Sequence, residues 1–537
     1  MIRFSRVSII SIVILGAVFA TLTVLPSTSA AATQTKAARD PFAGLTQTTE
    51  IDGVLNNAEQ VNAAAKKFFA ERNNRTPDAA VTLSERNLSS KYIELEKRYF
   101  DESRIKTPAD FAKFLEELDT NYDTYPEDVK LLVARISPLR KMGGFFWRVL
   151  PMLNHARMAQ EVGSGALRAV YAQMAIKFPD NVDKVVFQYL TQPQEGLLEQ
   201  FASERDLQVF AHLSLYPALK TSIKRIEKLN LTDKPVVFDA RLRFGEDSFP
   251  GSSTNRFHLV GEAERFTMLS RLHRRLFMIA VFVSYDLDGL MKYRAAIGKK
   301  MGVDVAGLQE LNPMSSYFGG AQAEIAGLTR ETRVKMMSKY PSLYTLRSAN
   351  EPASTSFGKR AMILAYNHFR MHVLYLTNAW QVLQKSGRAG NSVLDPEFFE
   401  SRKEQIDEAM SVAVKLVPKD VSEAYPIHSN RLGKIVHVNI RNFFYNPPTD
   451  LKKLLPTEFD KGDSRADKNG WIKAEVDHKP VIFRDYSKGR ATGWNVAEYK
   501  KVFPDVRSPE DVATVERTLN STLNGRLISG MLVPFAR

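Results

Sequence analysis

Cysteine is absent from this chain of 537 residues. Its absence excludes disulfide bonds, thiol nucleophiles, thiolate zinc sites and iron–sulfur clusters, all of which need cysteine sulfur. It also excludes a bacterial lipoprotein, because lipidation takes place on a cysteine. The fold must therefore be stabilised by its hydrophobic core, and a chain of this length can bury a large one.

Long apolar runs are scarce after the first 25 residues. The strongest internal run, from Leu276 to Val283, is too short to cross a bilayer and is typical of a core helix. The sequence therefore excludes a polytopic membrane protein. No integral membrane domain is expected beyond the N-terminal segment.

Motifs that bind nucleotides or carry a nucleophile are also lacking. The glycine-rich segments, such as Gly143-Gly144 and Gly319-Gly320, do not form GxxxxGK[ST], GxGxxG or GxSxG. We predict no nucleotide partner and no cofactor. The sequence does not identify catalytic residues, which stay unknown.

The N-terminal segment has the three zones of a bacterial-type signal peptide in the right order. Arg3 and Arg6 make it positive, an almost wholly apolar stretch runs from Val7 to Leu25, and Pro26 precedes a run of small residues. We predict a signal peptide over residues 1–31, cleaved after Ala30 or Ala31. The product would be soluble in the periplasm or outside the cell.

An uncleaved N-terminal anchor is the alternative. The apolar stretch is longer than an ordinary signal-peptide core and is just long enough to span a bilayer. Either interpretation places the folded body outside the inner membrane. The sequence does not decide between the periplasm and the extracellular space. It does not indicate the oligomeric state either.

The rest of the chain predicts a mainly α fold in two packed helical blocks, with a small α+β segment at the C-terminus. Caps, prolines and apolar spacings of three and four residues mark the helices. Among them are one that begins at Pro108 after a cap at Thr107, one from Ala166 to Ile176 and one from Gly196 to Phe210, and Asn446-Pro447 marks a break. The predicted order is a linker over residues 32–45, helical block 1 over 46–230, an irregular connection over 231–258, helical block 2 over 259–450 and a mixed segment over 451–537.

Two helices of the second block have the clearest patterns. Leu269, Leu272, Leu276, Ile279 and Val283 form a core seam, and the longest apolar helix is predicted from Gly358 to Lys385. Further helices are predicted as far as about Phe444. In the C-terminal segment, Trp471–Val476 and Val481–Arg484 predict two short strands.

The net charge is +14, with 74 Lys and Arg against 60 Asp and Glu. Such an excess favours anionic surroundings, although a basic proteome alone would also produce it. Arg271, Arg274 and Arg275 concentrate positive charge on one side of the leucine-seam helix. Guanidinium groups bind phosphate and carboxylate in bidentate fashion, so these three are the predicted anion site; a solvated or internally paired helix face is the alternative.

His368 and His372 lie one turn apart on the long apolar helix, a spacing that can hold a metal. They are weak metal candidates. The residues between them include no glutamate to act as a general base, and no third ligand is evident, so hydrogen-bonded core histidines explain the pair more simply. We therefore predict no metal site.

The segment from Asp463 to Ile472 resembles part of a calcium-binding loop. Asp467, Asn469 and Gly470 fit the pattern, but arginine takes the place of the first aspartate and the bidentate glutamate is missing. An Asn-Gly turn before a strand explains the segment without calcium.

Three functions remain open. The first is an exported protein that binds a partner, for example another envelope protein, or acts as a scaffold in the cell envelope. The second is a cell-wall or glycan hydrolase that uses paired carboxylates, for which Asp286 and Asp288 are the notable pair. The third is a binder of anionic envelope polymers.

Overall fold

The computed structural model describes the greater part of the chain after residue 86. The described residues are 87–101, 104–153, 178, 180–194, 199–231, 235–239, 257–290, 292–293, 296, 330–352, 354–386, 403–404, 406–407, 410, 414, 424–429, 433–465, 471–476, 479–484 and 491–521. The predicted signal peptide and linker lie outside this set. So do the helix predicted from Ala166 to Ile176 and the Asn-Gly turn at Asn469-Gly470.

Helices dominate the described residues, which confirms the mainly α fold. In chain order they are α1 Ser90–Glu96, α2 Pro108–Thr120, α3 Glu127–Ile136, α4 Phe145–Leu153, α5 Asp180–Thr191, α6 Glu204–Phe210, α7 Tyr216–Lys228, α8 Glu262–Ser284, α9 Arg330–Met337, α10 Phe357–Ser386, α11 Ile440–Tyr445, α12 Val496–Val502 and α13 Pro509–Ser521. One-turn π segments extend α1 and join α6 to α7.

The strands are short and pair in antiparallel twos. They are β1 Val236–Asp239, β2 Phe257–Val260, β3 Tyr425–Ser429, β4 Lys434–Val438, β5 Glu458–Phe459, β6 Trp471–Val476, β7 Lys479–Arg484 and β8 Ala491–Gly493. β1 pairs with β2, β3 with β4, β5 with β8 and β6 with β7. The predicted strands at Trp471–Val476 and Val481–Arg484 are the two halves of the β6–β7 hairpin, with Trp471 opposite Arg484.

The chain divides into two compact units. The first contains the described residues as far as Ser284 together with those between Arg360 and Val417, and the second contains Tyr285–Lys359 and the described residues from Pro418 onward. The first unit therefore draws on both of the predicted helical blocks. We count α10 with it, because all but the first three residues of that helix belong there.

The first unit has α8 and α10 in its core. All five residues of the predicted seam on α8 are buried, as the 3-4-3-4 spacing requires. On α10 more than one face is buried: Met362 and Tyr366 are at most 1% exposed, and so are Ala361, Ala365 and Tyr375 on the neighbouring face. A helix that is buried on more than one face lies inside its unit.

Local sequence explains where two helices of this unit begin. Thr107 caps α2 through a capping box with Asp110, and Pro108 stands at its first position, as predicted. The helix predicted from Gly196 to Phe210 begins later, at Glu204, because Ser203 and Asp206 form a second capping box. Residues 199–202 are irregular, so the prediction was wrong there.

The second unit contains β3 to β8 and the helices packed beside them. Within it, Tyr285 pairs with Leu346 in an isolated antiparallel bridge, and its hydroxyl donates to the carbonyl of Pro448 over 3.1 Å. The prediction of helices alone as far as Phe444 was wrong, because the β3–β4 hairpin occupies this stretch before α11. The predicted break at Asn446-Pro447 follows α11 directly.

In the described part of the chain, no helix combines the length and the apolar character needed to cross a membrane.

Candidate functional site: the arginine strip of α8

The arginine strip is defined here as Arg271, Arg274 and Arg275. Their spacing of three and four residues puts them on one side of α8, beside the buried leucine seam. All three are half-buried, and Met268 and Met278 on the same side are half-buried as well. The predicted anion site is therefore a partly enclosed surface and not a fully solvated helix face.

Burial and mutual repulsion act together on the strip. The pKa of Arg271 is lowered to about 10 by burial and then by the charges of Arg275 and Arg274. The pKa of Arg274 is lowered to about 10 by burial and then by Arg275, and burial lowers the pKa of Arg275. All three stay protonated at neutral pH, so the strip holds three positive charges.

A fourth arginine comes from another helix. Arg135 on α3 is half-buried and places its guanidinium over the ring of Phe238, with 4.1 Å between the guanidinium carbon and the ring centroid. Its pKa is lowered to about 9, first by burial and also by the positive charge of Arg271. The charge of Arg271 in the strip therefore acts on Arg135.

The two glutamates at the start of α8 are bonded elsewhere. Glu262 forms an ion pair with Arg265, and the carboxylate of Glu264 accepts a hydrogen bond from the backbone N–H of Gly261 over 2.8 Å. Arg265 also donates to the carbonyl of Glu227 on α7. Both acids therefore have partners in or beside the first turn of α8.

Arg135, Arg271 and Arg274 each make at least one further interaction. Arg275 differs, because its Nε is buried and has no hydrogen-bond partner among the described residues. A buried N–H of a charged group without an acceptor is costly. Arg275 Nε is therefore an atom of the strip that has no hydrogen-bond acceptor among the described residues.

Ser270 and His372 lie at the edge of the strip. Ser270 is one turn before Arg274 on α8, and its hydroxyl donates to the carbonyl of His372 over 3.0 Å. Nδ1 of His372 lies 2.7 Å from Oγ of Ser270 and 3.0 Å from the Ser270 carbonyl oxygen. A carbonyl oxygen only accepts, so Nδ1 carries the proton.

The remaining nitrogen of His372 is then an acceptor. Burial, followed by the charge of Arg274, lowers the pKa of His372 to about 3, so the ring is neutral at physiological pH. With its one proton on Nδ1, Nε2 presents a lone pair. His372 is half-buried, and Nε2 makes no hydrogen bond within the described residues.

His368 is bonded at both ring nitrogens in the core of the unit. Its Nε2 lies 2.8 Å from the hydroxyl oxygen of Tyr216 on α7, and its Nδ1 lies 3.0 Å from Nδ1 of His273 on α8. The ring of His273 stacks on Tyr375 with 5.4 Å between centroids. These contacts join α7, α8 and α10 beneath the strip.

Burial keeps the inner histidines neutral. The pKa of His273 is lowered to about 3 by burial and then by its electrostatic interaction with His372, and burial lowers the pKa of His368 well below its usual value. The Nε2 atom of His273 is buried without a partner in the described part of the chain. The rings of the two predicted metal candidates, His368 and His372, thus have separate partners.

Among the described residues, no group of three or more His, Cys, Asp or Glu side chains could hold a metal ion.

Comparison of the chain with protein-family models, curated proteins and solved structures found no match.

The other sequence candidates lie in the second unit. Asp286 accepts from the backbone N–H of Asp288 over 3.0 Å and forms an ion pair with Arg347. In the calcium-like segment, the carboxylate of Asp463 is bonded by Arg465, the residue that stands at the first ligand position. Asp286 and Asp463 are therefore each engaged with an arginine.

Several residues of the site were not predicted from the sequence. No sequence motif contains Arg135, Ser270 or Tyr216, because each of them acquires its role only through a neighbour on another helix. One pattern could have revealed Ser270: it precedes Arg274 by four residues and so shares its side of α8.

Proposed function

We propose that this protein is an exported binding protein and that the arginine strip of α8 binds anionic groups of an envelope polymer. The observation that carries the proposal is the collection of four arginines, from α3 and α8, at half-buried positions where their charges act on one another. Like charges in partial burial repel one another, and a bound anion removes that repulsion.

The chemistry of the strip favours phosphate or carboxylate. Guanidinium groups form bidentate hydrogen bonds with both, and hydrogen bonds to charged groups strengthen away from bulk water. Because the arginines are half-buried, an anionic group has to enter among them. This arrangement favours recognition of individual anionic groups over diffuse attraction to any polyanion.

The core beneath the strip supports binding by holding α8 in place. The hydrogen bonds between His273 and His368 and between Ser270 and His372 join α8 to α10. A ligand that meets arginines on a fixed helix loses less free energy to ordering them.

Export is the second part of the proposal, and the pattern of residues 1–31 supports it. The test is expression of the full chain in a bacterial host, followed by N-terminal sequencing of the protein from the periplasm and medium. We expect a mature protein that begins at Ala31 or Ala32. An intact chain that stays in the cytoplasm would contradict export, and an intact chain in the membrane would favour the anchor.

The binding test compares polymers that differ in charge. Binding of the mature protein to polyphosphate, to a polyuronate and to neutral dextran is measured at about 0.15 M salt, where the Debye length is about 8 Å. We expect binding to one or both polyanions and none to dextran. Equal binding to all three, or to none, would overturn the proposal.

Hydrolysis by paired carboxylates is less well supported. The pair that the sequence suggested is Asp286 and Asp288, and Asp286 is already bonded by Arg347 and by the Asp288 backbone. The observations therefore favour binding. Release of reducing sugar ends from a glycan would favour the hydrolase instead.

A further inference from the structure

We infer that His372 belongs to the anion site and that its Nε2 accepts a hydrogen bond from the ligand, which selects phosphate esters that carry a hydroxyl group beside the phosphate. This inference rests on the anion-binding function proposed above and names the class of ligand that the strip prefers.

Two contacts place His372 at the strip. Its ring is held against Ser270 by Nδ1, which lies 3.0 Å from the Ser270 carbonyl oxygen and 2.7 Å from Oγ. Ser270 and Arg274 are successive residues on one side of α8, about 6 Å apart between Cβ atoms at this spacing. A small ligand can thus bond Arg274 and still reach the ring of His372.

The hydrogen bonds to Ser270 also determine that the free ring nitrogen of His372 is an acceptor. Nδ1–H donates to the Ser270 carbonyl, so Nε2 is left as an acceptor on a half-buried ring. A bare phosphate dianion has no proton to donate to it. A hydroxyl group next to the phosphate does, so a polyol phosphate satisfies the arginines and Nε2 together.

The alternative role for His372 is purely structural, as a link between α8 and α10. Two substitutions separate the roles. In His372→Asn the amide nitrogen takes the place of Nδ1 and keeps the donor to Ser270, but nothing replaces Nε2. In His372→Gln the longer side chain carries its amide oxygen to the position of Nε2 and restores an acceptor.

The probes are glycerol 3-phosphate and n-propyl phosphate, which share the phosphate ester and differ in hydroxyl groups. Calorimetric titration of the native protein should give about fivefold tighter binding of glycerol 3-phosphate, the effect of one neutral hydrogen bond. We expect His372→Asn to bind both probes equally, at the native affinity for propyl phosphate, and His372→Gln to recover part of the preference.

Each result has a definite meaning. The inference is overturned if His372→Asn retains the preference for glycerol 3-phosphate, or if the native protein shows no such preference. In either case, binding of the two probes still supports the anion site. Failure of both probes to bind overturns the inference and the proposed function alike.

A spectroscopic measurement on the native protein does not depend on the folding of any variant. The ¹⁵N resonance of His372 Nε2 should shift on addition of glycerol 3-phosphate and stay in place with n-propyl phosphate. Equal shifts with both probes would contradict the inference.

Discussion

The hydroxyl oxygen of Ser270 lies 2.7 Å from Nδ1 of His372, although 102 residues separate the two in the chain. The contact joins α8 to α10, and the adjacent bond to the Ser270 carbonyl fixes the proton of His372 on Nδ1. Beneath it, His273 and His368 form a second link between the same helices. Neutral histidines therefore link α8 and α10 in the first unit.

Neutral buried histidines make the first unit sensitive to acid. The pKa values of His273 and His368 lie far below the value of about 6.5 that histidine has in an unfolded chain. Below pH 6.5 the unfolded chain binds protons that the folded unit does not, so stability is present above this pH and is lost as the pH falls. Between pH 7.5 and 5.5 the loss is on the order of 1 kcal/mol for each of the two buried rings.

Hydrogen exchange of peptides from α8 and α10 measures this loss in the first unit alone. After correction for the intrinsic exchange rates at each pH, we expect faster exchange at pH 5.5 than at pH 7.5. Glu227 opposes the trend because burial raises its pKa, but it is a single group. The variant His273→Phe should weaken the dependence on pH, whereas His437→Gln, which changes an exposed pair with Asp505, should preserve it. Equal protection at the two pH values would show that these histidines do not resist protonation.

The hydroxyl group of Tyr216 is expected to stabilise the first unit. The substitution Tyr216→Phe leaves Nε2 of His368 without its partner at 2.8 Å in a buried setting, which costs about 1–3 kcal/mol. Urea denaturation followed by circular dichroism checks this value. Tyr122→Phe is the matched control, because its hydroxyl donates a longer bond of 3.3 Å to the carbonyl of Arg225. A loss no larger than that of the control would mean that the Tyr216–His368 bond contributes little.

Gly358, at the start of α10, is predicted to be intolerant of a side chain. A Cβ atom there would lie 2.6 Å from the carbonyl oxygen of Arg347 and 2.8 Å from the side chain of Leu346. Alanine usually stabilises a helix relative to glycine by about 1 kcal/mol. Here we expect Gly358→Ala to destabilise the protein by about 1–3 kcal/mol, because the carbonyl oxygen belongs to the backbone and cannot turn aside.

Thermal unfolding measures the effect of Gly358→Ala. Gly433→Ala is the comparison: its Cβ would meet nothing within 4 Å, but its φ of 57° costs about 1–2 kcal/mol for a residue with a side chain. A rise in the unfolding temperature of Gly358→Ala would contradict the predicted clash.

The sequence predicted those parts of the fold that depend on neighbours along the chain. The cap at Thr107, the seam of α8 and the strands at Trp471–Val476 follow from local spacing, and all are present. The β3–β4 hairpin was missed because Pro426 lies inside β3, and proline within a short apolar run argues against a strand. The late start of α6 was readable, since Ser203 and Asp206 have the spacing of a capping box.

The site could be predicted only in part, for the same reason. The spacing of Arg271, Arg274 and Arg275 places three charges on one side of a helix, and this is a local property. That Arg135 approaches them, and that His372 bonds Ser270, depends on how α3 and α10 pack against α8. No local pattern specifies that packing.

The most direct test of the account is a comparison of two charge-matched triple variants. One replaces Arg271, Arg274 and Arg275 with glutamine, and the other replaces the exposed residues Arg465, Arg507 and Arg517. Each lowers the net charge of the full chain from +14 by the same three charges. Both are titrated with polyphosphate at about 0.15 M salt beside the native protein.

We expect the strip variant to lose more than tenfold in affinity, because hydrogen bonds between charged groups contribute about 1.5–3 kcal/mol each. The surface variant should stay within about twofold of the native protein, because exposed charges are screened at this salt concentration. Equal losses in the two variants, or no loss in the strip variant, would contradict anion binding at the arginine strip.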